Sequence, residues 1–190
     1  MGETVLVTGG CGFIGSNLLN WATGAFPECK FVNLDNLGYA ANPMNVHEAA
    51  SRPNYVFTHQ DLRDYDGLLA VVREHNPDLV IHLAAETHVD RSIKSPRNFV
   101  DTNVVGTFNL LEACRTAWGD DKADKVFHHV STDEVYGSLG DQGAFTETTP
   151  YDPSSPYSAT KAASDHLVNA YCHTFGLTTK TTNCSNNYGP

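Results

Sequence analysis

Apolar residues fall along this chain in two alternating patterns. Short, nearly continuous apolar runs occur at TVLVT (4–8), KFVNLD (30–35), NYVFTHQDL (54–62), DLVIHLAAE (78–86), KVFHHVS (125–131) and LTTKTTNCS (177–185). Such runs, bounded by turn residues, predict strands. Between them the apolar positions recur with helical spacing: 15–23, then 64–76, where Leu68, Leu69, Val71 and Val72 share one face and Pro77 stops the helix, then 96–118 and 155–176. The helix at 96–118 opens on proline, suited to a first turn, and the one at 155–176 ends on glycine.

Strands that are apolar throughout and alternate with helices predict an α/β fold: a doubly wound parallel sheet with helices on both faces. The 190 residues, 41% hydrophobic and 18% charged, suffice for one globular domain spanning 1–190. No repeat, low-complexity tract or linker divides it. A formal net charge of −10 argues against nucleic acid or anionic membranes as partners, because both repel an acidic surface. No apolar run approaches the length of a membrane span, and the N-terminus runs straight into a strand without a signal-peptide pattern. Five scattered cysteines, odd in number and without a CxxC pair, suggest reduced thiols in a cytoplasmic protein.

The first strand leads into TGGCGFIGSNLL, which reads either as Gly10-x-Gly12-x-x-Gly15 or as Gly9-x-x-Gly12-x-x-Gly15. Either spacing gives a tight turn, a backbone that a pyrophosphate can approach, and a helix N-terminus facing the negative charge. Asp35 ends the second strand, where a carboxylate can accept hydrogen bonds from a ribose diol and repel a 2′-phosphate. The combination predicts a Rossmann domain that binds NAD rather than NADP. Asp61-Leu62 falls where adenine would sit, although Asp61 reads equally as a helix cap. Ala84-Ala85 could let a cofactor pass close, or simply pack the core.

Tyr157 and Lys161 are four apart on a predicted helix and so project from one face. A lysine ammonium near a phenol lowers the phenol's pKa and makes it a usable base. Upstream, STDEVYG (131–137) places Thr132 and two adjacent acids, Asp133 and Glu134, at the exit of the fifth strand. Adjacent carboxyls in a partly desolvated site disfavour double ionisation, so one stays protonated as an acid while the other serves as a base.

TGGCGFIG, Asp35, the serine and threonine after the fifth strand and Tyr157-x-x-x-Lys161 resemble the extended short-chain dehydrogenase/reductase family. Within it, AAETHVDRSI (84–93), STDEVYG, PSSPYSATKAASDHLV (153–168) and TNCSNNYGP (182–190) are similar to the 4,6-dehydratases of dTDP-glucose. The paired acids separate this group from the 4-epimerases, which lack them, and from decarboxylating relatives, which resemble STSEVYG. The resemblance implies that Tyr157 takes the O4 proton while NAD accepts the C4 hydride and Thr132 holds O4. It implies that Glu134 removes the C5 proton and Asp133 protonates the departing C6 oxygen. By motif position, Gly9, Gly12, Phe13, Ile14, Gly15, Asp35, Asn36, Asp61, Leu62, Ala84, Ala85, Thr102, Tyr157, Lys161 and Asn187 would meet NAD. Thr87, Thr132 and Asn186 would meet the nucleotide sugar, dTDP-glucose or UDP-glucose.

The resemblance also implies a homodimer, paired through the helices at 96–118 and 156–175. Family chains continue beyond NNYGP into a substrate domain absent here, so the sequence is expected to be the N-terminal part of a longer protein. A UDP-glucose 4,6-dehydratase, a 4-epimerase or an inert NAD-binding fragment are the alternatives. His88, Asp90 and Arg91 lie beside the expected site, and Arg91 reads equally as a surface salt bridge. His128 and His129 face opposite sides of a strand, and the nine histidines show no metal-ligand spacing, so no metal site is expected.

Overall fold

The computed structural model describes residues 2–140 and 143–189. Pro190, the end of the last quoted motif, lies outside the described residues. Six strands, β1 (Thr4–Thr8), β2 (Lys30–Asp35), β3 (Tyr55–His59), β4 (Leu79–His82), β5 (Val126–Thr132) and β6 (Thr178–Cys184), form one sheet. Their order is β3-β2-β1-β4-β5-β6 and every pairing is parallel. This is the doubly wound arrangement that the alternation predicts. Its strand order reverses between β1 and β4, where ligands of such sheets sit, beyond the strands' carboxyl ends.

Period-two alternation in the strands divides the core. Val5 and Val7 of β1 and Phe31 of β2 pack on one face with Leu19 and Ala22 of α1 (Phe13–Ala25). A 3₁₀ turn (Pro43–Val46) and α2 (His47–Ala50) add Val46 and Ala49 to the same side. Leu6, Val32, Leu34, Val80 and Phe127 face the other way. There they meet α3 (Tyr65–His75), and further along the chain α6 (Thr107–Trp118) and α7 (Pro156–Phe175). Trp118 is buried in this layer and donates its indole N–H to the Pro77 carbonyl at 3.0 Å, a packing role.

Three stretches depart from the periodicity. The helix expected at 96–118 is a composite, with α5 (Pro96–Phe99), a π-helical segment (Val100–Gly106) and then α6. The Asn103 carbonyl, within the wide turn, accepts the hydroxyls of both Thr107 and Ser164, each at 2.6 Å. Gly106 lies so close to Leu62 that an added Cβ would fall 2.8 Å from the Leu62 Cβ. These contacts compete with regular helical bonding, and such π segments often mark functional sites. A short helix, α4 (Val89–Lys94), stands where the apolar spacing predicts none. Strands β3 and β4 end earlier than their apolar runs, so Asp61, Leu62, Ala84 and Ala85 lie in loops beyond the sheet.

Candidate active site

The loop from β1 to α1 forms the floor of a cleft of about 440 Å³ at the carboxyl ends of the strands. Its glycines serve different ends. Gly9 has φ +73°, and a Cβ there would fall 2.7 Å from the Ala84 Cα. A Cβ on Gly15 would fall 2.4 Å from the Gly9 carbonyl, and one on Gly10 2.1 Å from Asn33 Oδ1. All three are required by the fold. Gly12 is different: a Cβ would meet only the Gly9 carbonyl, at 3.4 Å, and its φ of −78° suits any residue. The space that glycine keeps open at position 12 belongs to the cleft, and the residues lining it fit the Gly9-x-x-Gly12-x-x-Gly15 reading.

The remaining walls come from the other strand ends. Asp35 is buried, with Oδ2 accepting the Cys11 N–H at 2.9 Å and Oδ1 the Leu37 N–H at 2.8 Å. Each carboxylate oxygen keeps a further lone pair for a hydroxyl. Asn36 donates to Asp61 at 3.3 Å. Asp61 is held by Arg63 through Nε at 3.0 Å and Nη2 at 2.6 Å, and these bonds lower its carboxyl to about 2. Asp61 is not the cap of α3; Asp64 is, accepting the Gly67 N–H at 3.2 Å. Ala84 donates its N–H to Thr8 Oγ1, and Glu86 is clamped at both backbone groups by the Asn103 amide. Thr102 of the π segment completes this side.

On the far wall, Ser155 and Ser158 form a reciprocal capping box and Pro156 occupies the first turn of α7. This start fixes Tyr157, whose ring meets Phe99 edge-on at 6.4 Å. Lys161 is buried on the same face and donates to the Val130 carbonyl at 2.9 Å. Burial lowers its ammonium to about 8. Thr132 lies near the Tyr157 phenol and favours its ionised form, and its hydroxyl accepts the Glu134 N–H at 3.3 Å, opening the 3₁₀ turn Asp133–Tyr136. Burial, then Asp133, raise the Glu134 carboxyl. Burial, reinforced by Glu134, raises the Tyr157 phenol to about 12, so the lysine alone does not bring the phenol down.

Nearly every expected site residue lines this one cleft: Gly9, Gly12, Phe13, Ile14, Gly15, Asp35, Asn36, Asp61, Leu62, Ala84, Ala85, Thr87, Thr102, Thr132, Glu134, Tyr157, Lys161, Asn186 and Asn187. Asp133 is brought near it, close enough to disfavour ionisation of Glu134 and Tyr157, but does not form part of its wall. Tyr39 and Glu86 line it too, though no motif spacing announced them. Among the described residues Arg91 makes no ion pair: its guanidinium lies 3.7 Å from the centroid of the Tyr39 ring, joining α4 to the loop after β2. Of the histidine pair, His129 is fully enclosed while half-buried His128 meets Thr182 at 3.0 Å. Among the described residues no group of acids, histidines or cysteines could hold a metal ion.

The family model described as GDP-mannose 4,6 dehydratase matches residues 6–190. The chain belongs to that family. A dTDP-glucose 4,6-dehydratase from Xanthomonas campestris pv. campestris (strain B100) is 53% identical over 191 residues, covering 98% of this chain and 54% of the relative. The Escherichia coli (strain K12) dTDP-glucose 4,6-dehydratase 1 is 49% identical over 199 residues, covering 98% and 55%. The chain thus spans about half the length of the curated relatives it matches. Among solved structures, a dTDP-glucose 4,6-dehydratase from Streptomyces venezuelae, with NAD bound, superposes with a TM-score of 0.89 at 44% identity, covering 98% of this chain and 57% of its own. A UDP-glucose 4-epimerase from Thermus thermophilus, in complex with NAD, gives 0.83 at 34%, covering 95% and 54%.

Proposed function

We propose that this chain is the NAD-binding, catalytic part of a nucleotide-sugar 4,6-dehydratase acting on dTDP-glucose. One observation carries the reading: the turn bearing Asp133 and Glu134 starts at Thr132, and Thr132, Glu134 and Tyr157 line one wall of a cleft with an open glycine cradle. An epimerase has no use for the two acids. The relatives named as dTDP-glucose 4,6-dehydratases support the thymidine nucleotide.

The α1 N-terminus over Gly12, the Asp35 carboxylate and Lys161 would hold the cofactor. NAD bound there would accept the C4 hydride and return it to C6, the redox chemistry that no side chain of the site supplies. Tyr157 takes the O4 proton, and Thr132 holds that oxygen. The 4-keto group so formed acidifies C5–H. Glu134, whose carboxyl burial and Asp133 raise, is the base that removes that proton, and Asp133 protonates the leaving C6 oxygen. Thr87 and Asn186, on the cleft wall, meet the sugar.

Incubation of the protein with dTDP-glucose and with UDP-glucose tests this. A 4-keto-6-deoxy sugar is the expected product; UDP-galactose as sole product overturns the reading. Glu134→Gln should still oxidise C4 while losing elimination by about 10²- to 10⁴-fold.

We further propose a cytoplasmic homodimer. All five cysteines are free, and among the described residues no helix is long and apolar enough to cross a membrane. Cell fractionation reads the location. Val100, Val105 and Phe108 are each more than two-fifths exposed on the π segment and α6, where a second copy would cover them.

A further inference from the structure

Behind the cleft, α7 carries a carboxylate that takes no part in the steps above. Asp165 lies one helical turn after Lys161 and is 5% exposed. Its Oδ2 accepts the Ser131 hydroxyl at 2.8 Å and the Tyr151 phenol at 2.9 Å. Its Oδ1 is 3.1 Å from Nε2 of His129, out of line for a hydrogen bond. These neighbours come from separate parts of the site. Ser131 directly precedes Thr132. Tyr151 precedes α7 and meets the ring of Tyr136, in the turn that bears the acids, edge-on at 5.1 Å. Asp165 itself rides on the helix that carries Tyr157 and Lys161.

Lys161 poses the complementary problem. It is 4% exposed, and its ammonium donates to a neutral partner, the Val130 carbonyl. A buried ammonium without a counter-charge is costly and tends to lose its proton. Lys161 and Asp165 lie one turn apart on α7 and both are buried, without direct ion-pair contact between them. We propose that Asp165 is a positioning residue: its carboxylate acts through space as the counter-charge of Lys161 and ties the end of β5, the segment bearing Tyr151 and α7 into one arrangement. The inference rests on the reading of Lys161 as a charged group that holds the cofactor.

The other groups facing Asp165 leave this role to Lys161. Burial holds His129 neutral, far below the usual histidine range. Tyr151 is raised by burial and by Asp165, so it remains a neutral donor. His166, the next residue on α7, adds only a weaker attraction than Lys161. Burial raises the Asp165 carboxyl, and Ser131, Lys161 and Tyr151 oppose that rise. Burial lowers Lys161, and Asp165 opposes that fall.

The test is a ¹³C NMR titration of the Lys161 Cε resonance in the 190-residue chain, assigned by its disappearance in Lys161→Arg. In the parent the midpoint should lie at about 8. Asp165→Asn, nearly isosteric but uncharged, should lower it by about one unit or more, a roughly tenfold greater tendency to lose the proton. Ser131→Ala removes a neutral donor and keeps the charge, so it should leave the midpoint in place. An unchanged midpoint in folded Asp165→Asn overturns the proposal. Should that variant not fold, the parent still decides: the Asp165 Cγ resonance must show an inflection at the Lys161 midpoint, and its absence overturns the proposal. The measurement needs neither sugar nucleotide nor turnover, so it stands or falls separately from the dehydratase assay.

Discussion

The glycine loop separates fold from ligand at single residues. Gly9, Gly10 and Gly15 are crowded by protein backbone or side chains, whereas Gly12 borders open space. Gly12→Val should therefore cost the fold only about 1 kcal/mol, the scale of a poorer helix cap. It should weaken NAD by about 100-fold or more, near 3 kcal/mol, because two methyls fill the cradle. Gly15→Val should instead unfold the loop, through overlap with the Gly9 carbonyl. Isothermal calorimetry beside thermal melts distinguishes the two; equal NAD affinity in parent and Gly12→Val removes the cradle argument. The motif spacing made these glycines legible but did not rank them. Tyr39 and Glu86 were not legible at all, because they reach the cleft from loops whose course depends on the packing of α4 and the π segment.

Among elements, the stretch 96–118 is the most instructive. Its apolar stripe correctly gave a helix, and Leu110, Leu111 and Cys114 are fully buried. Periodicity does not encode the break at Val100–Gly106, which follows from hydroxyls on α7 and within the stretch itself reaching the Asn103 carbonyl. The same stretch exposes Val100, Val105 and Phe108. On the proposed dimer, Phe108→Glu buries a charge against an apolar partner face, at a cost of several kcal/mol, and should yield monomers at micromolar concentration in sedimentation velocity. Unaltered sedimentation would remove this surface as the interface. The substitution is exposed in the single chain, so its melting temperature in the monomeric state should change little.

For the molecule as a whole, two enclosed histidines set an acid limit. His82 bridges Thr8 at 2.7 Å and Thr107 at 3.0 Å, and its ring lies 5.2 Å from that of His129. Burial holds both neutral, well below the ordinary value of 6.5. Below about pH 6.5 the unfolded chain binds protons that the folded chain refuses. Stability is therefore complete above that pH and falls as pH drops, by up to about 1.4 kcal/mol per pH unit for each histidine. Asp61, lowered to about 2, contributes its loss only below its ordinary value of 3.8, outside this window. Urea midpoints measured from about pH 7.5 to about pH 5.5 should decline, with His75 and His128, also lowered by burial, adding to the slope and the raised Glu134 and Asp165 carboxyls opposing part of it; a flat profile would refute neutral burial of the pair.

The sequence by itself determined the alternation of strands and helices, the parallel sheet, the phosphate-binding turn and most of the residues along the cleft. These are written in local spacing: a period of about two or about 3.6, a glycine where a turn needs one, an acid at a strand's end. Only the tertiary structure decided what passes between segments. It placed Thr132 near Tyr157, sealed Lys161 onto the Val130 carbonyl, clamped Glu86 to Asn103, and raised the phenol that the lysine was expected to lower. Distance, burial and the loss of water fix those outcomes, and they arise only once segments far apart in the chain are packed against one another.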